Sequence, residues 1–196
     1  MKKITLALLG VISLLGNQIE AQTFSTGLIT FTTSPVEYSA QLDVTPTLVT
    51  LTMIGPDNRW LGLGFGTTSM IAGEDVVIFD GINLTDRHFG SPGQPAGQSA
   101  IGIIPTLDSR EDWTITSNTV NAGVRTLVAT RLPDTENVND YVFSAAASSI
   151  NLVWSHSVDE SFVLQYHGAG NKGTTLQSLT LSTNSFTNKD FTISPN

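Results

Sequence analysis

Beyond residue 22 the apolar residues of this chain do not recur at helical spacing; they alternate with polar ones in short runs cut by turn residues. Tyr38 to Val44 alternates, as does Leu48 to Ile54, and Gly55-Pro56-Asp57-Asn58 then supplies a turn. Trp60 to Phe65 and Asp75 to Asp80 read as further strands, the second closed by Gly81. Trp113 to Ser117, Val124 to Arg131, Asn151 to Ser155 and Phe162 to Tyr166 complete the set. Arg87 to Gln98, dense in Gly, Pro and Ser, reads as a loop, and Ala145-Ala146-Ala147 as one short helical turn. So many short strands predict one all-β domain, an immunoglobulin-like antiparallel β-sandwich.

The two ends are set apart from that domain. Met1-Lys2-Lys3 is basic, Ile4 to Gly16 is apolar, and Ile19-Glu20-Ala21 ends in a small residue, the layout of a secretory signal peptide cleaved after Ala21. The apolar run is shorter than the roughly 20 residues of a spanning helix, so no membrane span is expected in the mature chain. The sandwich is expected over 22–180, and 181–196 as a polar linker or tail. Within that tail Phe191 to Asn196 resembles the opening of a C-terminal sorting module of secreted proteins. The expected location is outside the cytoplasm, secreted, periplasmic or at the cell surface.

An exported chain without cysteine must hold its fold by its core alone. The same absence excludes thiolate metal sites and covalent haem attachment through C-x-x-C-H. A net charge of −8, from 9 Lys and Arg against 17 Asp and Glu, argues against a nucleic-acid partner. No G-x-S-x-G elbow, metalloprotease helix or convincing acid pair points to a hydrolase, and no catalytic residues are expected.

Without thiols, a transition-metal site must draw on His, Met, carboxylates or Tyr. Past the leader there are two methionines, Met53 and Met70, and three histidines, His88, His156 and His167. Met53 is in phase with Val49 and Leu51 and belongs to the core. Met70 sits in the small-residue loop Gly66 to Asp75, where a thioether either plugs the open end of the sandwich or reaches a soft metal. His167 is expected to close a strand and open the loop Gly168-Ala169-Gly170, either as an exposed imidazole or beside a flat ligand that the glycines admit. His156 is placed either in the core or on the wall of the same pocket, and His88 in solvent. Asp75, Asp80 and Asp86 read as turn chemistry at strand ends. Asp134 to Asp140 is rich in oxygen ligands but lacks the glycine and terminal Glu of a calcium loop.

A resemblance chooses among these readings. Trp60-Leu61-Gly62-Leu63-Gly64-Phe65-Gly66, then Ser69-Met70-Ile71-Ala72-Gly73-Glu74-Asp75, resembles the signature of the DOMON domain. It continues through Arg131-Leu132, Asp134-Thr135, Asp140-Tyr141 and Leu152-Val153-Trp154 to Tyr166-His167-Gly168, covering about Thr23 to Gly173. The chain is thus similar to the cytochrome domains of cellobiose dehydrogenases and to plant auxin-responsive b-type cytochromes. The resemblance implies one non-covalent haem b with Met70 and His167 as axial iron ligands. It implies outer-sphere electron transfer with a redox partner protein or small-molecule electron carrier. Glu74 stands where Ala or Ser is common in the family, and Lys172 where Arg is frequent. Members without the ligand pair imply the alternative, a haem-free module binding carbohydrate or another ligand. Haem capture for nutrition would use the same pocket. Trp60, Phe65, Phe79, Trp154 and Tyr166 are candidates for packing against the ring or for the core.

Overall fold

Residues 22–182 are described by the structure, a computed structural model. The signal segment 1–21 and the sorting-module resemblance near the C-terminus lie outside the described residues. Thirteen strands are present among them: β1 (Phe24–Ser25), β2 (Ile29–Thr32), β3 (Tyr38–Val44), β4 (Val49–Pro56), β5 (Leu61–Phe65), β6 (Asp75–Phe79), β7 (Leu84–His88), β8 (Thr106–Leu107), β9 (Thr114–Asn121), β10 (Val124–Arg131), β11 (Ser149–His156), β12 (Lys172–Ser178) and β13 (Thr180–Leu181). One antiparallel sheet runs β13-β1-β3-β4-β10-β9, with β2 also on β3; the other runs β12-β11-β5-β6-β7-β8. The chain is an all-β antiparallel sandwich, and no helix among the described residues is long and apolar enough to cross a membrane.

Side-chain alternation explains the packing. Leu42, Val44, Leu51 and Met53 of the first sheet meet Leu61, Leu63, Phe65, Val77, Phe79 and Leu152 of the second in one continuous core. Met53 is fully buried there, as its phase in β4 predicts.

The second sheet is covered on both faces. In β5 and β6 every residue is buried, although only alternate ones reach the main core. On the far face Val76 and Ile78 join Trp60, Ala72, Phe89 and Ala100 in a second apolar cluster, against which Met70, Phe162 and Leu164 pack. The residues facing that side from β5 are Gly62 and Gly64.

Several expectations are corrected. Residues 162–166 form no strand; they run as irregular chain over the second cluster, so His167 does not close a strand. The edge strand beside β11 is instead β12, paired from Ser149↔Ser178 to Ser155↔Lys172. The segment expected to begin a loop at Arg87 still belongs to β7 through His88. Ala145-Ala146-Ala147 forms a hydrogen-bonded turn, Ala147 N–H donating to the Ser144 carbonyl at 3.0 Å, and no helix. Sheet pairing continues through Leu181, one residue into the expected tail.

Candidate functional site

Between the second sheet and its covering loops lies a cavity of about 430 Å³, within the size range of small-molecule and cofactor sites. Its floor is the outer face of β5, β6 and β11, with Gly62, Val76, Ile78, Val153 and Ser155. Three loops close over it, contributing Thr68 to Met70, Ile101 to Pro105, and Leu164 to His167. Met70 and His167, far apart in sequence, therefore line one cavity.

The methionine side is held by a backbone ladder. The Ala100 N–H donates to the Met70 carbonyl at 2.8 Å, and the Ala72 N–H donates to the Gln98 carbonyl at 2.8 Å. The Gly97 N–H donates in turn to the Ala72 carbonyl at 2.9 Å. Gly66 turns the chain out of β5 with φ +71°, and a Cβ there would collide with the Tyr141 ring, so glycine is required on both counts. Met70 is half-buried on the cavity wall.

The histidine side is set by one local bond. His167 Nδ1 lies 2.7 Å from the Gly168 carbonyl oxygen. A carbonyl only accepts, so the proton sits on Nδ1 and the Nε2 lone pair is left free, the tautomer a metal ligand needs. Gly168 makes this turn with φ +78°. Among the described residues no backbone–backbone hydrogen bond involves 162–170, so this side is tied down more loosely than the methionine side.

The walls fit a flat apolar ligand with one polar edge. Gly62 leaves the floor without a side chain. At Gly173 any Cβ would come within 2.7 Å of the Trp154 ring, so the indole and the glycine are matched at this wall. Trp60 contributes a buried indole whose Nε1 has no hydrogen-bond partner, a donor left for an acceptor. Lys172 and Tyr166, both exposed, stand at the solvent edge as a cation and a hydroxyl.

The remaining candidates separate. Phe65 and Phe79 are fully buried in the main core, Trp154 belongs to that core and also borders the cavity, and Trp60 and Tyr166 line the cavity. His156 faces the core, its Nδ1 2.8 Å from the Ser157 carbonyl and its ring stacked on Trp154; burial lowers its pKa. His88 is not in solvent: it is half-buried and its Nδ1 pairs with the Asp108 carboxylate.

Of the three aspartates read as turn residues, only Asp80 is one, accepting from the Ile82 and Asn83 N–H groups at 3.0 and 2.8 Å. Asp75 and Asp86 are buried because charged groups are collected between β6, β7, β10 and the 133–142 loop. Arg131, itself buried, lies 3.0 Å from Asp75 and 3.1 Å from Asp140, with its guanidinium over the rings of Trp113 and Phe143. The Tyr141 N–H donates to Asp75 at 2.8 Å, and the Thr135 hydroxyl donates to Asp140 at 2.6 Å. Burial pushes Asp75 up to about 7 against the pull of Arg131 and the Tyr141 N–H. Burial, with the charges of Asp75 and Asp140, pushes Asp86 up to about 8. Asp108 joins Asp86 and Asp140 in this group. Nothing in the local sequence of Asp108 marks it.

Comparison with protein-family models and with curated proteins returns no match.

Proposed function

We propose that this protein is an exported b-type cytochrome domain of the DOMON kind, which binds one haem b in the cavity between Met70 and His167 and passes electrons by outer-sphere transfer. The observation that carries the reading is that the one thioether and the one imidazole expected as a ligand pair line the same apolar cavity. Met70 offers a soft donor on a loop pinned by the backbone ladder. His167 offers Nε2, with Nδ1 occupied by the Gly168 carbonyl. Met70 and His167 would hold the haem, which would supply one-electron redox chemistry when bound.

The rest of the wall serves binding and insulation. Val76, Ile78, Phe89 and Leu164 exclude water, Gly62 keeps the floor flat, and the Lys172 ammonium can offset propionate charge at the rim. The partner on this reading is a redox protein or a small-molecule electron carrier outside the cytoplasm.

Titration of the purified protein with haemin, followed by the Soret band, tests this. Saturation at one equivalent is expected. His167→Ala should weaken binding by about 100-fold or more, since loss of even a supporting residue around a metal costs 10–100-fold. Met70→Ala should retain weaker binding with an altered spectrum. No saturable Soret shift, with binding to a soluble oligosaccharide in its place, would leave a haem-free binding module as the reading.

A further inference from the structure

We propose that Asp86, Asp108 and Asp140 form a binding site for a calcium ion, separate from the Met70–His167 cavity. The three come from β7, from the residue after β8, and from the 133–142 loop. Each brings one carboxylate oxygen into a group whose members all lie within 4.8 Å of one another. Oxygens bound to one calcium ion at about 2.4 Å lie no farther apart than about 4.8 Å, so a single ion can touch all three.

A second observation points to a ligand. Asp86 is 0 % exposed, and the side chains of Asp108 and Asp140 are 1 % and 2 % exposed. Yet Asp86 Oδ1, Asp108 Oδ2 and Asp140 Oδ1 are each buried with no hydrogen-bond partner. A buried carboxylate oxygen without a donor is costly, and one on each member of the group points to a shared positive charge. The surroundings do not supply enough of it. Of four buried carboxylates, counting Asp75, the guanidinium of Arg131 pairs with Asp75 and Asp140 alone. His88 is engaged by Asp108, Arg110 is paired at the surface with Asp112, and Glu111 adds a further carboxylate by accepting the Asp86 N–H.

The donor set selects the metal class. It is all carboxylate oxygen, which suits a hard cation and not zinc or copper. Calcium accepts an irregular oxygen cage from three distant segments, whereas magnesium demands near-octahedral geometry and keeps its waters. An ion here would tie the β7–β8 edge of one sheet to the loop that follows β10 of the other.

Isothermal titration of the chelator-stripped protein with CaCl2, and thermal melts in 5 mM CaCl2, MgCl2 or EDTA, test the site. One calcium ion is expected to bind with a Kd below about 1 mM, as in extracellular modules, and to raise Tm by about 5 °C over EDTA. Magnesium should give less than half that shift. Asp108→Asn, which keeps shape and removes charge, should lose the calcium shift. No binding heat with equal Tm in calcium and EDTA would overturn the proposal, as would an equal shift from magnesium. A full calcium shift in both Asp108→Asn and Asp86→Asn would place the ion elsewhere and overturn it too.

Discussion

The cavity and the carboxylate group share β6 and are built in opposite ways. The cavity is made by leaving things out: glycine at 62 and 173, apolar walls, and a few polar atoms at its edge. The carboxylate group is made by crowding charges in, with Asp75, Asp86, Asp108 and Asp140 around Arg131 and little room between them. An apolar, roomy wall can lose a polar side chain without leaving a buried orphan. A crowded charge network cannot, because each member is another member's solvent. Substitutions at the cavity should therefore change binding and spare stability, while substitutions in the network should change stability first.

The largest effect is expected at Arg131. Arg131→Ala leaves Asp75 and Asp140 buried without their cation, which costs about 3–5 kcal/mol. At about 2–4 °C per kcal/mol for a chain of this size, circular dichroism should show Tm falling by roughly 10 °C. A fall of under about 2 °C would mean that the network is not held by its charges.

Gly62→Val reads the other region. A Cβ at Gly62 meets the Ser155 hydroxyl at 3.3 Å and Ile78 at 3.6 Å, a tight but adjustable fit, and the added methyls point into the cavity floor. Haem affinity should drop about tenfold with Tm changed by less than about 3 °C, since overpacking is mild where open space adjoins. A collapse in stability without loss of binding would reverse the comparison.

The smallest effect is a pH slope in the presence of chelator. Asp75 at about 7 and Asp86 at about 8 both lie above the unfolded value near 4, so the folded state holds their protons more tightly. The stabilisation from these two groups is complete below about pH 4 and is lost as pH rises to about 8. Melts in EDTA should thus show their contribution declining over that window, and calcium should flatten the upper part of it. A chelated protein that grows more stable from pH 6 to 8 would contradict the burial of these carboxyls.

The contrast also explains what could be read from the sequence. β3, β4, β10 and β11 follow the alternation that a half-buried strand must show, β6 reads as a continuous apolar run because it is buried on both faces, and Met70 sits in a loop between two of the clearest strands. β7, Leu84-Thr85-Asp86-Arg87-His88, escapes that reading because Asp86 is a carboxyl on the buried face, and only its Oδ2 is bonded, accepting from the Asp112 N–H of a later segment. β12, Lys172 to Ser178, has no alternating apolar face; it is placed by backbone pairing along β11. Phe162 to Tyr166 misleads in the opposite direction, since its apolar residues cover the second cluster and cavity without entering a sheet. Asp108 carries no local signal at all, because a site built by convergence appears only once the chain is folded.

The central claim is tested most directly by the visible spectrum of the purified protein with one equivalent of haemin, reduced with dithionite. If Met70 and His167 both hold the iron, the spectrum is expected to be low-spin with split α and β bands, and Met70→Ala to lose that splitting. A high-spin spectrum in the unmodified protein, or one unchanged in both Met70→Ala and His167→Ala, would contradict the account.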